Sequence, residues 1–149
     1  MSFKENVYRQ CAAIIQTKIS LLQKQLHDLT DSAGNETKRT AGDKHETALA
    51  MLQIEQENNS RQLQDALQQK AMLEKIDPTL QTEQAVRGSI ITTNKGIFFL
   101  SLGLGKITID EKTVIALSPE SPLGNLLLHT KPGDTCIFNN IAYTIEQIN

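Results

Sequence analysis

The side chains best spaced to do chemistry together are Asp43 and Glu46, in the stretch Ala41-Gly-Asp-Lys-His-Glu-Thr47. Aspartate followed three residues later by glutamate is a variant of the capping box, in which each carboxylate accepts a backbone N–H at a helix start. Such a cap contributes about 0.5 to 2 kcal/mol. The same spacing keeps two carboxylates close together, a partial site for Mg²⁺, which takes one or two carboxylates and completes its shell with water and partner oxygens. Two ligands are not a whole site, so catalysis here requires further ligands from a macromolecule that receives the segment. His45 lies between the two acids and His27 comes near if the chain folds back. Adjacent helical positions point in different directions, however, which argues against a transition-metal cluster. Lys38, Arg39 and Lys44 crowd the same region. They fit either a solvated loop or contacts to RNA phosphates.

Other candidate motifs carry less. The stretch "SLGLGKITI" has the glycines of a phosphate loop, but Leu100 stands where that pattern needs glycine and Ile107 where it needs serine or threonine. Gly103 and Gly105 are therefore expected to permit a bulge or a tight strand connection. No Ser/His/Asp set or reactive Cys/His pair is evident. Cys11 and Cys136 lie far apart and match no metal or redox spacing, so both are expected as small apolar core residues in a reducing compartment.

Long helices must position the acidic pair. Tyr8, Ala12, Ile15, Ile19, Leu22, Leu26 and Leu29 recur in steps of four and three, the seam of a coiled coil. The pattern breaks in "TDSAGNETKRTAGD", where Gly34, Asn35 and Gly42 supply turn and cap chemistry. A second helix is expected from about Thr47 to Ile76 through Leu49, Leu52, Leu63, Leu67 and Leu73, with Gln56 and Asn59 also on its seam. Folding back near Thr37 sets Leu26 opposite Leu49, Leu22 opposite Leu52 or Gln53, and Ala12 opposite Leu63. Asn59 and Gln56 then meet Ile15 and Ile19 in a mixed layer that fixes register. At about 1.5 Å per residue each arm reaches on the order of 40 Å.

Pro78 ends this region, giving an expected division into a coiled-coil hairpin at 1–77 and a globular domain at 78–149. Beyond it "VRGSIITT", "GIFFLSL", "KITI", "TVIALS", "DTCIF" and "IAYTIEQI" read as strands. Asn94-Lys95-Gly96, Asp110-Glu111-Lys112 and Asn139-Asn140 read as hairpin turns. One helix interrupts them, with Ser121 as its N-cap, Pro122 at its first position and Leu123, Leu126 and Leu127 as its apolar face. Lys131-Pro132-Gly133-Asp134 then turns into the last hairpin. The expected fold class is α+β: a long helical hairpin, then a small antiparallel sheet packed on one helix.

Composition agrees with an extended element beside a small core. Only 4% of the 149 residues are aromatic, and ten glutamines fall between Gln10 and Gln69. Net charge is −2 and balanced between the halves, which argues against binding free DNA through its phosphates. "MSFKENVYRQ" lacks the apolar run of a signal peptide, and no stretch of about eighteen apolar residues suits a membrane span. A soluble, cytoplasmic monomer is the expectation.

Taken together, Gly42, Asp43 and Glu46 at the tip of a helical hairpin, then "SPESPLGNLLLHTKPGD" and a final "YTIEQI", resemble the bacterial Gre transcript cleavage factors. The resemblance spans essentially the whole chain. Ser118 to Asp134 carries its more specific motif, similar to the family signature "ISPxSPxGxALLGKxxGD". It implies an FKBP-like C-terminal fold without prolyl isomerase activity. It also implies docking at the RNA polymerase secondary channel, with the coiled coil inserted toward the polymerase's catalytic aspartates. Asp43 and Glu46 would there help hold a shared Mg²⁺ and orient a water, so that the polymerase cleaves the backtracked RNA 3′ end. The underlying logic is two-metal phosphoryl chemistry. Ser121, Pro122 and Leu123 would lie in the docking loop, and the isolated chain, not itself an enzyme, would hydrolyse nothing.

The family commonly continues its tip as Glu-Asn-Ala-Glu-Tyr, whereas this chain reads Glu46-Thr47-Ala48-Leu49-Ala50. Two polymerase readings therefore stand: a factor that stimulates cleavage, and a regulator that occupies the channel without it. A coiled-coil interaction protein unrelated to polymerase is a third, and it predicts self-association through the hairpin.

Overall fold

A computed structural model describes residues 2–37 and 43–149. Helix α1 (Phe3–Thr37) and helix α2 (Asp43–Glu74) precede strands β1 (Ile90–Thr93), β2 (Gly96–Leu100), β3 (Gly105–Ile109) and β4 (Lys112–Leu117). Helix α3 (Pro122–Leu127) and strands β5 (Thr135–Phe138) and β6 (Ile141–Ile148) complete the chain. Two compact units result, one of residues 14–71 and one of residues 1–13 with 72–149. Among the described residues, no helix is long and apolar enough to cross a membrane.

In the unit of residues 14–71, α1 buries Ile15, Ile19 and Leu22, as its seam predicted. It runs through Gly34 to Thr37, within the stretch where the break was expected. A single glycine costs a helix about 1 kcal/mol relative to alanine, too little to end one this long. The pairing register nevertheless differs from the expected one. Asn59 Nδ2 donates to Gln25 Oε1 at 3.2 Å and Gln56 Nε2 to Thr30 Oγ1 at 3.4 Å. The expected register had instead set Leu26 opposite Leu49, and Asn59 and Gln56 against Ile15 and Ile19. The polar layer exists, but its partners are polar too. On α2 the buried positions include Asn59 and Ala66, a heptad apart, while Leu67, expected on the seam, is exposed.

In the other unit the six strands form one sheet in the order β3-β4-β2-β1-β6-β5. All three expected hairpin turns occur. Asp110 and Glu111, and likewise Asn139 and Asn140, adopt positive φ, the geometry that matches strand twist in two-residue hairpins. The sheet is mixed rather than antiparallel, because β2 and β4 pair in parallel, Ile97 beside Val114 through Leu100 beside Leu117. Strand β4 carries the apolar residues a central position needs. Strand β3, with Gly105, Lys106 and Thr108 exposed, is left at the edge. Gly105, at φ +79°, turns the chain into β3, the tight connection expected there.

Both sheet faces are buried. Ile91, Phe98, Leu100, Leu117, Ile145 and Ile148 gather around Leu127 of α3, and Phe98 meets the Tyr143 ring edge-on at 5.8 Å. Register places Ile90, Phe99, Val114, Ala116 and Ile107 on the opposite face, also buried. The helix ends at 3–13 and 72–76 belong to this unit and are tied to it by specific contacts. The buried Lys4 ammonium donates to the carbonyls of Leu80 at 2.5 Å and Asn149 at 3.2 Å. Burial lowers its pKa, partly offset by Asp77. Tyr8 Oη donates to Leu73 O at 3.1 Å, and Lys112 Nζ lies 5.4 Å from the centre of the Phe3 ring. Cys11 is fully buried as expected, which pushes its thiol up to about 12. Cys136 is only half-buried, on edge strand β5, and its Sγ donates to Leu126 O at 3.3 Å. On α3 the exposed Leu126 does not join the apolar face, and Leu128 packs there instead.

Glu111 is the least suited of the turn residues, since a long side chain gains nothing from φ +65°. Glu111→Gly is expected to stabilise the sheet unit by about 0.5 to 1 kcal/mol. A thermal midpoint that falls instead would show that Glu111 makes a compensating interaction.

Candidate functional site

The acidic pair sits where α2 begins. Asp43 is its first residue and Glu46 lies one turn on, with Glu46 exposed. Backbone N–H groups of a first helical turn have no intrahelical acceptor, and the helix dipole favours negative charge there. Both acids are therefore electrostatically at home. Their hard oxygens are the donors Mg²⁺ prefers, and their number matches a partial site. Lys38, Arg39 and Gly42 lie outside the described residues, as do the side chains of Asp43, Lys44 and His45. His27 is engaged with Asp31, Nε2 to Oδ2 at 3.4 Å on successive turns of α1. Among the described residues, no group of three or more His, Cys, Asp or Glu side chains is placed to hold a metal. Following Glu46, residues 47–50 continue α2 as Thr-Ala-Leu-Ala, with Ala48 and Leu49 half-buried.

The second candidate site is the loop from Ser118 into α3. Ser121 caps α3: its Oγ accepts from Gly124 N at 3.1 Å and donates to Ser118 O at 2.6 Å. Pro122 occupies the first turn and is exposed, while Leu123 is half-buried against the core cluster. The three residues expected in a docking loop thus stand side by side, and only the proline is largely open to solvent.

Sequence reasoning missed the groups that shape this loop. Glu120 accepts from the Ser118 hydroxyl and from Arg87 Nη2 at 2.6 Å, and Arg87 Nη1 donates to Ser101 O at 2.8 Å. The Ser118 hydroxyl, local backbone donation and the Arg87 guanidinium hold the Glu120 carboxyl below its usual range. Arg87 is thirty-three residues away in sequence, so no local pattern announces the pair. Gly124 had a readable signal, as the glycine of "SPLG". A Cβ built there would lie 1.9 Å from Ser118 O, so only glycine lets the loop close onto α3.

No protein-family model matches the chain, and no curated protein matches it. Among solved structures, the chain is similar to GreA factor homolog 1 (Gfh1) of Thermus thermophilus. That likeness covers 93% of this chain and 94% of the other at 12% sequence identity, with a TM-score of 0.35. At those values it says nothing about function.

Proposed function

We propose that this chain is a Gre-type factor that binds RNA polymerase and presents Asp43 and Glu46 to the polymerase active site, stimulating cleavage of backtracked transcripts. The observation that supports the reading is that α2, the second arm of a helical hairpin, begins at Asp43, with Glu46 three residues on and exposed. Paired arms of this length deliver a tip on the order of 35 Å along the hairpin axis from Ile14. The Ser118–Gly124 loop, held by Arg87 and Glu120, supports the same reading because its residues are those of the resembled docking motif.

In this mechanism Asp43 and Glu46 would help hold a Mg²⁺ shared with the polymerase, and the chemistry such an ion would supply is charge neutralisation and activation of water. The chain's own part would be to bring Asp43 and Glu46 to the start of α2, where the helix dipole favours negative charge. It acts as an auxiliary in the cytoplasm, as a monomer. A channel-occupying regulator without cleavage is the second reading, favoured by Thr47, Leu49 and Ala50 standing where the family carries Asn, Glu and Tyr.

The test adds the protein to stalled, backtracked elongation complexes with Mg²⁺ and compares it with Asp43→Asn/Glu46→Gln. The amides can still accept capping hydrogen bonds, so the helix start survives while the charge is lost. Cleavage stimulation is expected to fall on the order of 10²-fold, with polymerase binding retained. Binding without cleavage by either protein would select the regulator, and RNA hydrolysis by the isolated chain would sink both readings.

A further inference from the structure

One flank of the helical hairpin has the makings of a receptor for a third helix. Gln25, Asp28 and Ser32 of α1 and Glu55, Asn58 and Gln62 of α2 line a groove of about 440 Å³. Asp28 and Glu55 are both exposed, and among the described residues neither has an ion-pair partner. The pairing of Gln25 with Asn59 and Thr30 with Gln56 brings them to the same level of the hairpin. Two carboxylates lining one groove give it the sign that attracts a cationic side chain. Asn59, only 7% exposed, also lines the groove, and its Oδ1 has no hydrogen-bond partner.

Exposed apolar side chains border the groove. Met51 and Ile54 stand three or four residues from Glu55 and Asn58, hence on one stripe of α2, and they are 59% and 57% exposed. Leu21 stands four residues before Gln25 on the corresponding stripe of α1 and is 55% exposed. In the observed register Leu21 lies about nine residues along the hairpin from Ile54, or roughly 14 Å. Large apolar side chains therefore flank a polar, acidic groove, where a partner could cover them.

We infer that this flank docks a basic amphipathic helix of another protein. Apolar anchors two to three turns apart would cover Leu21 and the Met51/Ile54 pair, and an arginine or lysine between them would meet Asp28 and Glu55. Charge complementarity selects this occupant. A second copy laid on the same flank would set the acidic residues against their own counterparts. The inference stands independently of the polymerase reading, since it uses neither the tip nor the Ser118 loop.

The test titrates the full chain with a synthetic eighteen-residue helical peptide carrying leucine anchors and central arginines, and with a control bearing glutamates in their place. NMR follows the side-chain amides of Gln25, Asn58 and Gln62. The arginine peptide is expected to shift them and the glutamate peptide to leave them unmoved. Asp28→Lys/Glu55→Lys, both surface changes, is expected to weaken arginine-peptide binding at least tenfold and to admit the glutamate peptide. Equal response to both peptides, no response at millimolar peptide, or shifts confined to residues 72–149 would each overturn the proposal. So would concentration-dependent self-association through these same amides, which would make a second copy the occupant.

Discussion

Gly124→Ala is expected to cost the sheet unit about 3 kcal/mol or more and to displace the Ser118–Ser121 loop. The added Cβ would sit 1.9 Å from Ser118 O and 2.8 Å from Ser121 Oγ, and the nearer atom belongs to backbone. A flexible side chain could swing aside, but a carbonyl moves only with its loop. Moving that loop breaks the Ser121 cap, worth about 1 kcal/mol, and disturbs Glu120, which Arg87 holds. Overpacking a fitted site adds about 1 to 3 kcal/mol. Gly103→Ala is the matched control, because a Cβ there meets nothing within 4 Å. Both tyrosines, Tyr8 and Tyr143, lie in the same unit, so urea unfolding followed by tyrosine near-ultraviolet circular dichroism reports on that unit. If the two alanine variants unfold at the same urea concentration, the close approach of Gly124 to Ser118 is wrong. Under the polymerase reading Gly124→Ala also weakens docking while leaving the hairpin tip unchanged.

Phe99→Ala should be comparably damaging, by about 3 to 5 kcal/mol. Phe99 is 0% exposed and sits on β2 between its partners on β1 and β4, Ile90 and Ala116. Neither neighbour is a large flexible residue that could swing into the vacated space. A typical domain has only about 5 to 15 kcal/mol in total, so the variant would be partly unfolded at room temperature or close to it. Phe99→Leu keeps most of the volume and is expected to lose far less. The distinction matters because Phe98, its neighbour, faces the α3 cluster instead. A loss below about 1 kcal/mol for Phe99→Ala would mean that the second face of the sheet is not the packed layer described.

Those two residues also mark what could and could not be read from the chain. Strands and hairpins were legible because β-branched runs end in Asn, Asp and Gly, and α3 because Ser121-Pro122 is a helix start. These are local signals acting over a few residues. The parallel pairing of β2 with β4 was not legible, since no local pattern distinguishes it from an antiparallel neighbour. Nor was the burial of Phe99's face, which no local pattern announces. The hairpin seam was legible as a period, whereas its register, seen in the Asn59–Gln25 and Gln56–Thr30 pairs, was not. At the candidate site, Asp43 and Glu46 were recognisable by type and spacing, whereas the Arg87–Glu120 tie had to be seen in three dimensions.

The unit that contains the sheet is discontinuous in sequence, and this sets an order of events during synthesis. Lys4 bonds to a carbonyl of Asn149, so the start of α1 waits for a residue translated 145 positions later. Residues 14–71 need only each other, and their contacts are the more local ones. The hairpin can therefore close while the sheet is still being translated, holding residues 1–13 and 72–77 near one another before their strands exist. Until then Val7, Cys11 and Leu73, all buried in the finished protein, stay open to solvent on the nascent chain. The interval is the stage at which the molecule is most prone to aggregate.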